Sequence, residues 1–172
     1  MNRPMVITGK CWMIRAADGK RIDDIDTDMI FHNAHLHITE PRQMAPHAFG
    51  NLTGWEDFPS KCAPGDILVV GRNFGAGSSR QQAVDAFVAL GIQAIIGESF
   101  GAIYKRNAIN SGWPLIICPE IFGSDIKTGD ELKIDLEKST VENLRMGKKI
   151  EKVEPFSSVQ RDIYLAGSLF DL

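Results

Sequence analysis

Cysteine is scarce in this sequence. The three cysteines, Cys11, Cys62 and Cys118, stand far apart, form no CxxC pair and show no metal-ligand spacing. Because a [4Fe–4S] cluster is held by clustered thiolates, we predict that this chain by itself binds no cluster and no other metal. Cys118 follows the apolar run 115–117 and is predicted to be a buried small hydrophobic residue.

Long apolar runs and an excess of positive charge are also lacking. No apolar stretch reaches membrane-spanning length, and residues 1–10 lack the apolar core typical of a signal peptide. The 19 basic residues are outnumbered by 22 acidic ones, so no basic face for nucleic acid is expected. We therefore expect a cytoplasmic protein that binds neither membrane nor nucleic acid. The length of 172 residues predicts one domain, 1–172.

The middle of the chain alternates between strand and helix patterns. Short apolar runs are separated by segments with helical spacing, and Gly91 and Gly112 end the two helices. This order predicts a βαβαβ unit with right-handed crossovers and a parallel sheet. Alternating residues near the end predict an antiparallel hairpin followed by a helix. The predicted strands are 5–14, 67–70, 93–97, 114–118, 131–136 and 139–144, and the predicted helices are 83–90, 100–110 and one from about 155.

The segment from 31 to about 63 has no periodicity, and Pro41, Pro46 and Pro59 interrupt it. Long irregular connections of this kind are usually functional or mobile. We predict that residues 31–57 are the most mobile part of the isolated chain.

The turn 71–80, GRNFGAGSSR, is the segment most suggestive of chemistry. Its glycines allow the backbone to approach a ligand, and two serines and Arg80 then open a helix whose N–H groups favour an anion. The alternative is that Ser78 only caps the helix and the glycines only form a tight turn. Neither GxGxxG nor a Gly-Lys-Ser/Thr ending is present, which favours a small anion over a nucleotide.

Three segments in order resemble a known family. Asp26-Thr27-Asp28, the 71–80 turn, and the run from Glu98-Ser99-Phe100 to Arg106-Asn107-Ala108-Ile109-Asn110 resemble the small subunit of isopropylmalate isomerase and homoaconitase, and the swivelling C-terminal domain of aconitase. The resemblance covers essentially the whole chain. It implies an α/β fold: a swivelling β/β/α domain with the central βαβαβ unit and an antiparallel tail.

The resemblance also implies a function. A separate large subunit would carry a [4Fe–4S] cluster that binds the substrate, and the pair would dehydrate and rehydrate a 2-hydroxy di- or tricarboxylate. Ser78 would be the catalytic base, while Ser79 and Arg80 would bind the substrate carboxylate. Gly75 and Gly77 would supply loop backbone. Asp28 would support the site, its alternative being a solvated turn residue.

The chain departs from the family pattern around this site. The family motif SSREHA becomes SSRQQA, with Gln81 and Gln82, and Ala102 replaces an arginine in the second helix motif. His37 stands where the substrate-reading loop, YLRT in isopropylmalate isomerases, has arginine. These changes predict the same reaction on a different hydroxy acid.

Several functions remain open at this point. 3-Isopropylmalate in leucine biosynthesis is the leading substrate, and a homocitrate-like or methylated malate is the alternative. A non-catalytic anion-binding regulatory module and a stand-alone enzyme are rivals of other classes.

The histidines form a cluster in the sequence. His32, His35 and His37 lie within six residues, and zinc binding is a second interpretation of them. His47 is predicted to be a surface residue.

Overall fold

The computed structural model describes residues 2–172, whose strands form one seven-stranded sheet in the order β4-β3-β2-β1-β5-β6-β7. Neighbours β1 to β4 are parallel, and β5 to β7 are antiparallel additions on the other side of β1. The strands are β1 Val6–Met13, β2 Ile67–Val70, β3 Ala94–Gly97, β4 Leu115–Ile117, β5 Glu131–Asp135, β6 Thr140–Asn143 and β7 Lys148–Lys149.

Within residues 2–172, six α-helices accompany the sheet. No helix among residues 2–172 has the length and apolar character needed to cross a membrane. The last helix begins with a capping box, in which Ser157 and Gln160 each satisfy the other's backbone N–H. The helices are α1 Thr27–Ile30, α2 Pro41–Met44, α3 Phe58–Lys61, α4 Gln82–Ala89, α5 Ala102–Asn110 and α6 Ser158–Ala166, with 3-10 turns at Asn33–His35, Ala45–His47, Ile121–Gly123 and Leu169–Asp171.

The parallel half is the predicted βαβαβ unit, β2-α4-β3-α5-β4. All residues of β2 and β3 are buried, as expected for strands that are covered on both faces. Gly91 and Gly112 follow α4 and α5 with φ of +82° and +69°, so both predicted helix ends are confirmed. The α/β class with a central βαβαβ unit is confirmed.

The antiparallel half is the predicted tail. β5 pairs with β1 from Val6 opposite Asp135 to Lys10 opposite Glu131, and β5 continues into the hairpin with β6. The final helix predicted from about residue 155 is present as α6. These tail predictions are confirmed.

Two apolar clusters pack against the two faces of the sheet. One contains buried residues of β1 and β5, among them Cys11, together with Cys118. Cys118 is fully buried, which confirms its prediction. The other packs aromatic rings under the irregular segment, including Phe49 against Phe87 with centroids 4.9 Å apart.

The segment 31–57 lacks long helices and strands, as expected, and apolar side chains anchor parts of it to the core. Its mobility stays a prediction. The N–H of Phe49 also donates to the carbonyl of Ile30 at 2.8 Å. The buried anchors are Phe31, Met44, Ala48, Phe49 and Leu52. With no period of 2 or 3.6, these contacts gave no signal in the sequence.

Candidate functional site

The 71–80 turn leaves the carboxyl end of β2 and brings the three resembling segments together. On one side, the N–H of Gly75 donates to the carbonyl of Ile25 at 2.7 Å, and the N–H of Thr27 donates to the carbonyl of Ala76 at 2.9 Å. On the other side, a parallel bridge joins Phe74 to Phe100. Segments distant in sequence therefore meet at the carboxyl ends of the parallel strands, where ligand sites of parallel sheets are found.

Two glycines of the turn are required by its conformation. Gly75 has φ of +80°, and a Cβ there would collide with the ring of Tyr104. Gly77 has φ of +94°, but a Cβ there would make only an ordinary contact, 3.6 Å from Oγ1 of Thr27, so glycine is needed only for the left-handed conformation. The turn therefore packs tightly against α5 at Gly75 and is open to solvent at Gly77.

Ser78 is exposed, and its backbone is fixed. The hydroxyl of Thr27 donates to the carbonyl of Ser78 at 2.9 Å. The helix α4 begins at Gln82 with Gln81 in the cap position, so the alternative that Ser78 is the helix cap is wrong. The contact with Thr27, a residue 51 positions away, holds Ser78 ahead of the helix rather than at its first turn.

The backbone around Ser78 is rich in free donors. Within residues 2–172, the N–H groups from Ala76 to Gln82 donate to no protein acceptor, whereas the next N–H, of Ala83, donates to the carbonyl of Arg80 at 3.1 Å. Consecutive unpaired N–H groups before a helix favour an anion. These N–H groups lie just before α4, in the turn that was predicted to bind an anion.

Ser79 is exposed and is held by the second helix. The side-chain amide of Asn107 donates to Oγ of Ser79 at 3.0 Å. Ser111 Oγ donates to the carbonyl of Asn107 at 2.8 Å and accepts from the Gln81 amide at 2.7 Å. One hydrogen-bonded chain therefore connects the turn before α4 with α5.

Arg80 and Asp28 are brought into contact. Nη1 of Arg80 donates to Oδ1 of Asp28 at 2.9 Å and to the carbonyl of Phe31 at 2.8 Å. Asp28 also accepts from the N–H of Asn33 and from the side-chain amide of Asn51. The interpretation of Asp28 as a merely solvated turn residue is therefore wrong.

The contact with Arg80 stabilises the ionised form of Asp28. The hydrogen bond from Arg80, followed by that from the backbone of Asn33, lowers the pKa of Asp28. The side chain of Arg80 is only 13% exposed, while that of Asp28 is 41% exposed. Asp28 therefore orients an almost covered guanidinium and remains ionised itself.

His37 is exposed in the loop that follows the 3-10 turn Asn33–His35. The side-chain amide of Gln82 donates to the neighbouring carbonyl, that of Leu36, at 3.2 Å. This bond places the loop with His37 beside the start of α4. Gln82, one of the departures from the family motif, thus connects the two predicted parts of the site.

The other histidines have structural partners. His32 accepts from the N–H of Ala34 at Nδ1, and His35 stacks on His47 with ring centroids 3.8 Å apart. His47, predicted to be a surface residue, is half-buried. Among residues 2–172, no three His, Cys, Asp or Glu side chains are grouped to hold a metal ion, and the zinc interpretation finds no support in this geometry.

The cysteines do not form the donor set of an iron–sulfur cluster. Cys11 and Cys118 belong to one apolar cluster, and Cys62 packs against the other. Burial raises the pKa of both Cys11 and Cys118 to about 12, which disfavours the thiolates that iron requires. These residues do not fit a cluster.

Sequence reasoning missed four residues of the site: Thr27, Asn51, Gln82 and Asn107. Thr27 and Asn107 lie inside the segments that resemble the family, and their polar side chains could have marked them as candidate site residues. Gln82 was noted only as a departure. Asn51 lies in the irregular segment, 23 residues from Asp28, and nothing in its surroundings marks it.

Comparison with known proteins defines the class of this domain. Residues 24–118, which contain all three segments of the site, match the family described as Aconitase C-terminal domain. A 3-isopropylmalate dehydratase small subunit from Thermodesulfovibrio yellowstonii is 38% identical over 97% of this chain and 93% of its own length. A methanogen homoaconitase small subunit from Methanocaldococcus jannaschii is 43% identical, over 86% and 83%.

A solved structure agrees. The crystal structure of a 3-isopropylmalate dehydratase from Methanocaldococcus jannaschii is 38% identical, with a TM-score of 0.83 over 96% of this chain and 92% of that one. The chain belongs to the aconitase-like family that includes the small subunits of 3-isopropylmalate dehydratase and homoaconitase. The enzymes of this family are hydro-lyases. The predicted family and swivelling-domain fold are confirmed.

Proposed function

We propose that this chain is the small subunit of a heteromeric hydro-lyase that dehydrates and rehydrates a 2-hydroxy di- or tricarboxylate, with 3-isopropylmalate as the substrate. The observation that carries the proposal is the convergence of Ser78, the free N–H groups of residues 76–82, and Arg80 at one exposed edge. The names of relatives at 36–43% identity support the same substrate class.

Ser78 is proposed to be the catalytic base. Its alkoxide takes the proton from the carbon next to the one bearing the hydroxyl, the C–H electron pair forms the double bond, and the hydroxyl leaves from the neighbouring carbon. A serine hydroxyl is ordinarily a poor base. The adjacent N–H groups and the guanidinium of Arg80 would stabilise its anion.

Ser79 and Arg80 are proposed to hold a substrate carboxylate. Nη1 of Arg80 is engaged by Asp28 and Phe31, and within residues 2–172 its other nitrogens have no hydrogen-bond acceptor. A planar guanidinium held on one side presents its remaining N–H groups in a fixed direction, which suits a carboxylate. Gly75 and Gly77 shape the turn so that these groups face the same region.

A partner subunit is proposed to complete the site and to carry the [4Fe–4S] cluster. Ser78 and Ser79 are both exposed, and a base left in contact with water would lose the benefit of the preorganised donors. A partner surface that covers this edge would exclude that water. The cysteines of this chain do not fit the cluster, so the partner would have to supply its ligands. The predicted cytoplasmic location and single domain 1–172 stay predictions.

The reconstituted pair tests the proposal. Ser78→Ala should lower turnover by about 10²–10⁴-fold while substrate binding is largely kept, because only the proton-transferring group is removed. Ser60→Ala serves as the control, since Ser60 is a surface residue that bonds only to the carbonyl of Asp57. Near-normal turnover of the Ser78→Ala complex would show that Ser78 is not the base. A wild-type pair inactive on every hydroxy acid would favour the anion-binding module.

The substrate itself is tested by a panel of hydroxy acids. We expect 3-isopropylmalate to give the highest kcat/KM, with homocitrate-like acids as the alternative suggested by the homoaconitase relative. His37→Arg should raise the kcat/KM for 3-isopropylmalate relative to that for homocitrate-like acids, because isopropylmalate isomerases have arginine at this position. An unchanged ratio would show that His37 does not contribute to substrate choice.

A further inference from the structure

The hydrogen bond between Asn107 and Ser79 constrains the direction of the serine hydroxyl. The side-chain amide nitrogen of Asn107 can only donate, so at 3.0 Å it occupies an acceptor position of Ser79 Oγ. The hydroxyl proton of Ser79 must then point elsewhere. Because Ser79 is exposed and lies in the turn proposed to bind the substrate, its O–H remains available to donate to a bound carboxylate.

Asn107 is itself held in place. The helix α5 that carries it is tied to the start of α4 by Tyr104, whose hydroxyl donates to the carbonyl of Ala83 at 2.9 Å. Ser111 caps the carbonyl of Asn107 and accepts from Gln81. The amide therefore approaches Ser79 from a fixed direction, with both ends of the hydrogen-bonded chain on the segment that opens α4.

We propose that Asn107 is a positioning residue that sets Ser79 as a hydrogen-bond donor to the substrate carboxylate. The inference rests on the proposed function and deepens it, because it gives the two serines different roles. The amide nitrogen of Asn107 can only donate to Oγ of Ser79, so the hydroxyl of Ser79 must donate to another group. The side chain of Thr27 bonds only the carbonyl of Ser78. Within residues 2–172 the hydroxyl of Ser78 has no hydrogen-bond partner and is free to act as the base.

Asn107→Asp is the decisive substitution because it nearly preserves shape and reverses polarity. A carboxylate at position 107 would accept from Ser79 and turn its proton away from the substrate. In the complex with the large subunit, we expect KM to rise about tenfold to a hundredfold, the effect typical of a lost hydrogen bond to a charged group. The change in kcat should be much smaller. Asn107→Ala, which frees the hydroxyl without reversing it, should have a smaller effect on KM.

A double-mutant cycle separates this role from the added negative charge. In the Ser79→Ala background, Asn107→Asp should raise KM distinctly less than it does in the wild type, because no hydroxyl remains to be reversed. Asn110→Asp, one turn further along α5, is the charge-matched control. Within residues 2–172, the Asn110 side chain makes no hydrogen bond to the turn. Its KM should stay within about threefold of the wild type.

Equal effects of Asn107→Asp with and without the Ser79 hydroxyl would overturn the proposal. A fall in kcat at constant KM would overturn it as well. If Asn107→Asp prevents assembly, the Asn107→Ala cycle with Ser79→Ala decides, since additivity there also removes the positioning role. These results require an active wild-type pair. An inactive wild-type pair would instead contradict the proposed function.

Discussion

Asp28 and Arg80 form the contact that connects the acidic segment to the glycine turn, with Oδ1 and Nη1 2.9 Å apart across 52 positions of sequence. Asp28 gains further hydrogen bonds from Asn33 and Asn51, so it is fixed from three directions. We propose that it orients the guanidinium rather than stabilises the fold, because a partly exposed ion pair contributes little to stability.

Asp28→Asn should therefore raise KM for the hydroxy acid by about tenfold, since Arg80 would lose its charged anchor and its fixed direction. The melting temperature should hardly change. Asp57→Asn is the control, because it removes an exposed ion pair, with Lys61, that involves no residue of the candidate site. Michaelis–Menten kinetics of the reconstituted pair measures the effect. An unchanged KM would show that Arg80 is oriented without Asp28.

Gly75 and Gly77 provide a matched comparison of two left-handed glycines. Gly77→Ala should cost about 1 kcal/mol of unfolding free energy, since only the backbone conformation is strained. Gly75→Ala should cost about 3 kcal/mol or more, because its Cβ would also displace the buried ring of Tyr104.

Denaturant unfolding of the isolated chain measures both values. Costs of equal size would mean that the Tyr104 ring can move aside, and that the turn is not packed against α5 as tightly as its geometry indicates.

The predictable parts of this fold are those with local signals. Local sequence patterns predicted the buried strands β2 and β3 from their apolar runs. They also predicted the ends of α4 and α5 from the glycines that follow. The anchors of the irregular segment were not predicted. Phe49, for example, is fully buried although its neighbours follow neither the helix nor the strand period.

The site shows the same division. The turn was proposed as a site because glycine, serine and arginine types point to anion chemistry at that spacing. The predicted start of α4, residue 83, lies one residue from its start at Gln82. The contact from Thr27 to the carbonyl of Ser78 had no signal, because the two residues lie 51 positions apart. The contacts of Asn51 and Asn107 join segments that only the tertiary fold brings together.

Asp130 should make the chain sensitive to acid. Its carboxylate accepts from Nε of Arg145 at 2.7 Å and from the side chain of Asn143 at 3.1 Å. The hydrogen bond from Arg145 is the main reason that the pKa of Asp130 falls from 3.8 to about 2. Because the folded-state pKa is lowered, this stabilisation is present above pH 3.8 and is lost as the pH falls toward 2.

Asp130→Asn should accordingly lower the free energy of unfolding near pH 7 by about 2 kcal/mol and flatten its fall in acid. Glu131→Gln, a change at the neighbouring exposed carboxylate, should alter neither quantity. Urea unfolding at a series of pH values from 2 to 7 compares the three proteins. A wild type and an Asp130→Asn variant with parallel pH profiles would contradict the role assigned to Asp130.

The stacked rings of His35 and His47 form a titratable contact next to the loop that carries His37. Burial, and then the neighbouring charge of His47, lower the pKa of His35 below its ordinary value of 6.5. The folded protein therefore favours neutral His35. Its contribution to stability is present above pH 6.5 and is lost as the pH falls through the lowered pKa, because the unfolded chain then binds the proton more readily.

Two substitutions at position 47 separate burial from charge. His47→Ala should return the pKa of His35 toward 6.5, because it uncovers the ring and removes the charge together. His47→Phe keeps an aromatic ring over His35 and should leave the pKa lowered, since burial is the larger cause. His37→Ala, which removes a more distant charge, is the control and should change it least. NMR titration of the imidazole protons reports each pKa directly. If His35 titrates at the same pH in His47→Ala as in the wild type, the stack with His47 does not govern the protonation of His35.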